Sequence, residues 1–212
     1  MIKNISNLGD AAVYCDFGKD VDKDTNKQVI KYFKSIKKEN IDGINNLTPS
    51  YNKLIVSFDL KKNNYRNIKK LIENLSINNH DSLKNKKIEI PVCCDQNFSL
   101  DIKRLEEKLK LSSDKIYENF FDKEFFCYMT GFIAGMPFLG DLDENMRVKR
   151  LETPRVQVPK GSVGLTEQFA NIYTFESPGG WNIIGNTPVD IFDSSKEEDP
   201  NLINPGDTVV FK

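Results

Sequence analysis

Histidine is the scarcest chemistry-bearing residue in this chain: of 212 residues only His80 is one. The four cysteines, Cys15, Cys93, Cys94 and Cys127, have no C-x-x-C spacing and no histidine cluster to pair with. A zinc site and a cysteine–histidine nucleophile pair are therefore disfavoured, and free thiols in a reducing compartment are expected. No apolar run approaches the roughly 20 residues that span a bilayer. The opening MIKNISNLGD also lacks the hydrophobic centre of a secretory signal, which points to a cytoplasmic protein. Charge of neither sign is in excess: 30 Lys and Arg against 31 Asp and Glu leave a net charge of −1, giving no general attraction to nucleic acid or anionic lipid. The lysine clusters at Lys37-Lys38, Lys69-Lys70 and Lys84 to Lys87 are short and read as solvated faces. The P-loop pattern G-x-x-x-x-G-K-[ST] and the dinucleotide fingerprint G-x-G-x-x-G are both missing.

What is present is an alternation of elements followed by a change of texture. Ala11 to Phe17 reads as a strand, and Val29, Ile30, Phe33 and Ile36 fall at helical spacing within Asp22 to Lys37. Strands follow at Ile44 to Leu47 and Leu54 to Phe58 around a Pro49–Asn52 turn. Ile68, Leu71, Ile72 and Leu75 then line a second helix, and Lys87 to Val92 forms another strand. This order predicts a ferredoxin-like split βαβ domain, mostly antiparallel, with both helices on one face. From Ser99 to Phe121 two short helices are expected, the second capped by Ser112 or Ser113. Beyond Glu124 short strands recur among Gly and Pro: Phe125 to Phe132, Arg155 to Val158, Asn171 to Phe175, Trp181 to Ile184, Val189 to Phe192 and Thr208 to Phe211. That spacing predicts a closed or nearly closed β-barrel. The class is α+β, with domains at 1–95 and 96–212.

The densest chemical signal lies in Gly161 to Pro188, where two glycine-rich turns bracket a strand and Trp181 is the only tryptophan. Amides released at Ser177-Pro178-Gly179-Gly180 can face an anion, although Pro-Gly-Gly is also ordinary hairpin chemistry. Gly161-Ser162-Val163-Gly164 resembles a nucleophile turn only superficially, since no histidine is available to Ser162; a tight turn is the better reading. Glu176 can serve as a base or bind an ammonium or amide group. Strand alternation puts Tyr173 with Phe175 on one face and Glu176 with Thr174 on the other. Arg150 and Arg155 flank Pro154 and suit a carboxylate or phosphate, with surface ion pairing as the competing role. Gly131 to Gly140 is apolar but glycine-broken, and reads as a packed loop beside the barrel mouth.

Several of these runs resemble one family, that of the B subunit of bacterial 5-oxoprolinase, also called allophanate hydrolase subunit 1 or the KipI kinase-inhibitor family. Gly131 to Gly140 resembles its G-F-x-P-G-F-P-Y-L-G run, Pro154 to Gly164 its P-R-x-x-V-P-x-G-S-V-G run, and Ile172 to Pro188 its I-Y-P-x-E-S-P-G-G-W-x-x-I-G-x-T-P run. Pro205-Gly206-Asp207 and the N-terminal Gly9-Asp10-Ala11 and Asp16-Phe17-Gly18 fit as well, so the resemblance covers essentially the whole chain. It implies a small α/β domain followed by a cyclophilin-like β-barrel. It also implies a complex with the C (KipA-like) and A subunits of 5-oxoprolinase, which together hydrolyse 5-oxo-L-proline to L-glutamate using ATP with magnesium. A five-membered lactam is a stabilised amide, and phosphorylating its oxygen would supply a leaving group. On this basis Gly161, Ser162, Gly164, Tyr173, Ser177, Gly179, Gly180 and Trp181 would line a pocket facing the C-type partner, with Arg155 and Glu176 as its catalytic polar groups and no metal ligand. The chain alone would be inactive.

The chain departs from the family at three places. A family histidine corresponds to Phe120, or to Asn119 with one gap; P-G-F has become Ala134-Gly135-Met136; and the glutamine of G-x-Q-T-G corresponds to Phe169. Two further functions follow from related branches: inhibition of a sensor histidine kinase by a binding surface, and a part in a carboxyltransferase or allophanate hydrolase.

Overall fold

The first long helix begins where Asp22 can cap it. In a computed structural model, which describes residues 2–75 and 85–212, α1 spans Lys23–Glu39, and the Asp22 carboxylate accepts the N–H groups of Asp24 and Thr25, both at 2.9 Å. The helix stops at Asn40, whose φ of 44° is left-handed. Strands β1 (Asn4–Asn7), β2 (Ala12–Asp16), β3 (Ile44–Pro49) and β4 (Lys53–Phe58) form an antiparallel sheet in the order β1-β2-β4-β3, and α2 covers Tyr65–Glu73. Alternate residues Val13 and Cys15 of β2 and Leu54, Val56 and Phe58 of β4 are buried with Val29 and Ile36 of α1 and Ile68 and Ile72 of α2. Both helices thus cover one face of the sheet.

The chain divides between Lys84 and Asn85 into two units. This corrects the ferredoxin-like reading, which needs the Lys87 to Val92 strand in the first sheet. That strand, β5 (Lys87–Ile90), instead runs parallel to β13 (Thr208–Phe211) in the second unit, from Lys87 opposite Thr208 to Ile90 opposite Phe211. The place beside β2 is taken by β1, whose sequence NISN offers one apolar residue and carries almost no strand signal. His80 lies outside the described residues.

In the second unit α3 (Ile102–Leu109) and α4 (Ser113–Phe121) precede the strands, and Ser112 caps α4 through the Lys115 N–H. β6 (Glu124–Thr130), β7 (Pro137–Gly140), β9 (Ser162–Thr166), β10 (Phe169–Ile172) and β12 (Asn182–Asn186) join β5 and β13 in a seven-stranded sheet of order β12-β9-β10-β7-β6-β13-β5. β8 (Arg155–Val158) and β11 (Ser177–Gly179) form a separate two-stranded ribbon. The expected barrel is thus a curled half-barrel. Its edges meet where Cys93, just past β5, exchanges two main-chain hydrogen bonds with Asn186 of β12.

Period-two alternation gives this sheet two apolar faces. Val163, Leu165, Ala170, Ile172 and Ile184 enter a core shared with Leu105 of α3 and with Ile116 and Phe120 of α4. Phe120 stacks 4.9 Å from Phe211 as a core aromatic ring, and Asn119, the other position set against the family histidine, is half-buried with its amide toward Met146 Sδ. The opposite face holds a smaller cluster of Met136, Val158, Tyr173, Trp181 and Ile183. Two expected loops are strands. The Gly131 to Gly140 segment turns at Phe132 and Gly135, both at φ 71°, and then runs as β7; the Gly161 to Gly164 turn leads straight into β9, buried on both sides. Conversely, Val189 to Phe192 makes only a Phe192–Asn201 bridge, and the strand placed at Asn171 to Phe175 ends at Ile172.

Candidate functional site

The glycine-rich segments lie where the chain packs against itself. Gly161 has φ +82°, and a Cβ there would collide with the Thr187 carbonyl. Its N–H donates to the Tyr173 carbonyl at 2.8 Å and its carbonyl accepts the Thr187 N–H at 2.9 Å. Ser162 is buried at the start of β9, and its carbonyl accepts the Tyr173 N–H at 2.9 Å. Gly179 lets the Tyr173 hydroxyl lie where its side chain would be. The main-chain donors at Gly161, Ser162 and Tyr173 are thus used inside the fold, and what these turns present is a set of side chains.

A polar cluster forms at the β8–β11 ribbon. Arg155 on β8 is level with Gly179 on β11, and its Nη2 donates to Asp101 Oδ1 at 2.6 Å. Asp101, 5% exposed at the entrance of α3, also accepts the Ile183 N–H through Oδ2 at 2.7 Å. The second guanidinium nitrogen of Arg155, Nη1, is buried without a hydrogen-bond partner, as are Asn171 Oδ1, Tyr173 Oη and Ser177 Oγ. Asn171 projects toward Gly164 and Trp181: a Cβ on Gly164 would stand 2.7 Å from Asn171 Oδ1 and 3.0 Å from Trp181 Cβ. Burial raises the Tyr173 hydroxyl above its ordinary range, opposed by the Asn171 side chain, the Trp181 main-chain N–H and the charges of Arg150 and Arg155. Trp181 is 7% exposed, with its ring 5.6 Å from Phe138, and walls the cluster on its apolar side.

Glu176 is not brought to this cluster. Its carboxylate lies on the solvent side of the ribbon and accepts Gln157 Nε2 at 2.7 Å. The alternation that pairs Tyr173 with Phe175 also fails, because β10 ends at Ile172: Tyr173 is buried, whereas Phe175 is 41% exposed against Phe192. Gly180 approaches Arg150, whose Nε would stand 3.4 Å from a Cβ built there. Sequence reading missed Asp101 and Asn171. Asp101 is remote in sequence from its partner, and Asn171 sits where the family pattern has glycine, which was the available signal.

A cleft of about 250 Å³ adjoins the cluster through Tyr173 and is lined by Lys160, Gly161, Thr174 and residues 186–191. Its lysine, Lys160, is paired with Asp190 at 2.6 Å. Among the described residues no three His, Cys, Asp or Glu side chains converge as a magnesium-chelating group.

Set beside known proteins, this arrangement has a clear kinship. Residues 3–203 match the family model of the carboxyltransferase domain, subdomain C and D. The chain is 31% identical to the 5-oxoprolinase B subunit of Haemophilus influenzae, over 98% of this chain and 96% of that protein. It is 28% identical to the corresponding B subunit of Bacillus subtilis over 98% and 91%. The chain therefore belongs to the carboxyltransferase subdomain C and D family, the family of the 5-oxoprolinase B subunits. Among solved structures, TTHA0988 superposes with a TM-score of 0.86 at 27% identity over 96% of this chain, which spans only 40% of that longer chain. The Kluyveromyces lactis urea carboxylase shares the fold at a TM-score of 0.77 and 18% identity, this chain covering 21% of it.

Proposed function

We propose that the chain works as the B subunit of a 5-oxoprolinase complex that hydrolyses 5-oxo-L-proline to L-glutamate together with C-type and A-type subunits. The observation that carries this reading is similarity to proteins named as 5-oxoprolinase B subunits along nearly the full length of both chains. The polar atoms at the ribbon support it, because buried polar groups ordinarily have hydrogen-bond partners and Arg155 Nη1, Asn171 Oδ1, Tyr173 Oη and Ser177 Oγ have none in the protein. ATP acts in the assembly, bound by the partner subunits or shared with them. Glu176, exposed and paired with Gln157, stands outside the working site, and Arg155 stands within it.

The test is co-expression with the partners encoded beside it, followed by measurement of glutamate released from 5-oxo-L-proline. ATP-dependent release by the assembly, and none by the isolated chain, is the expected result. An assembly that forms but releases no glutamate would refute the reading.

A further inference from the structure

Among the described residues, five buried polar atoms of the second unit have no hydrogen-bond partner: Asn201 Oδ1, and Arg155 Nη1, Asn171 Oδ1, Tyr173 Oη and Ser177 Oγ, of which Arg155 and Ser177 sit on the β8–β11 ribbon, Tyr173 Oη lies against Gly179 of that ribbon and Asn171 Oδ1 against Gly164. Of the latter four, three can donate a hydrogen bond, and the Asn171 amide can donate or accept. Charge there is positive on balance: Arg150 and Arg155 both act on Tyr173, and Asp101 answers one of them. Arg155 is a planar fork with one arm, Nη2, fixed on a carboxylate and the other empty. An anion with planar oxygens suits that empty arm and the adjacent hydroxyl. Apolar walls come from Trp181, Phe138 and Met136. The ribbon over the cluster forms a sheet of its own, with no ladder to the seven-stranded sheet, so it can separate from that sheet without breaking a strand pairing.

We propose that this cluster binds a small carboxylate that also carries an amide N–H: the carboxylate on Arg155 Nη1 and the Tyr173 hydroxyl, the N–H on Asn171 Oδ1. A cyclic amide such as 5-oxo-L-proline has both groups on one small apolar ring; that choice of ligand rests on the function proposed above.

Trp181, the single tryptophan, lies in the wall of the cluster and reports on its occupancy by fluorescence. The full chain is titrated with 5-oxo-L-proline, with 2-pyrrolidone, which lacks the carboxylate, and with cyclopentanecarboxylate, which lacks the amide. The same titrations are made on Tyr173→Phe and Glu176→Gln. Saturable binding of 5-oxo-L-proline is expected, at least roughly tenfold tighter than either analogue, weakened roughly tenfold by Tyr173→Phe and unchanged by Glu176→Gln. Tyr173→Phe should melt no lower than the parent chain, because it removes an unpartnered hydroxyl and keeps the ring. No saturable response, equal binding of 2-pyrrolidone, or equal affinity of Tyr173→Phe overturns the proposal. Glutamate release by the assembly is a separate readout: binding without release sinks the proposed function and leaves the site, and release without binding does the reverse.

Discussion

Asp101 shows how much one side chain can organise. Its two oxygens hold Arg155 and the Ile183 N–H, and the carboxylate is nearly inaccessible. Removing one member of a buried ion pair leaves the other charge without compensation, so Asp101→Ala should destabilise the chain by roughly 3 kcal/mol, read as a fall in the urea midpoint. An Asp101→Ala protein with an unchanged midpoint would show that the pair contributes little. The glycines divide in the same physical way. Gly161→Ala meets both a left-handed φ and the Thr187 carbonyl, whereas Gly180→Ala meets only the flexible end of Arg150. Thermal melts should therefore place Gly161→Ala well below Gly180→Ala, and equal melting would contradict the assigned close approach. Tyr173, Ser177 and Trp181 were legible as candidates because they stand in the Gly161 to Pro188 stretch, and Arg155 because it flanks Pro154. Asp101 was not, because its role arises from a contact 54 residues away in sequence.

Among the elements, α1 was the clearest from sequence, since Val29, Ile30, Phe33 and Ile36 keep helical spacing, and Asp22 caps it. The cap also sets a pH dependence. Hydrogen bonds from the Thr25 main chain and then its side chain hold the Asp22 carboxyl below its usual range, and a bond from Lys53 does the same for Asp16. A carboxyl with a lowered folded-state pKa adds stability that is fully present above its unfolded value, near 3.9, and is lost as pH falls through the folded value. Asp22→Ala should therefore weaken α1 by about 1 kcal/mol at neutral pH and by much less near pH 2, measured by urea unfolding followed in the far-ultraviolet. An equal loss at both pH values would rule out the charged cap. Strands were harder to read than helices. β7 and β9 are buried on both faces, so their sequences carry glycine and unbroken apolar runs in place of alternation, and they read as loops. β1 failed for the opposite reason, having too little apolar content.

For the whole molecule, the α+β class and the division into two parts were visible in the change of texture along the chain. The boundary was not, because it depends on β5 joining β13 across more than a hundred residues. A fragment of residues 85–212 retains β5 and the Cys93–Asn186 junction and should give a dispersed amide spectrum. A fragment of residues 96–212 loses both, bares the edge of β13, and should be poorly folded or aggregated. Equal folding of the two fragments would show that β5 is dispensable.

The central claim is that the polar atoms under the β8–β11 ribbon are held for a ligand. A crystal structure of the chain grown with 5-oxo-L-proline tests it most directly. The account predicts a carboxylate within hydrogen-bonding distance of both Arg155 Nη1 and Tyr173 Oη, with Asn171 facing the lactam N–H. A ligand seated elsewhere, with those atoms still enclosed and unpartnered, would contradict it.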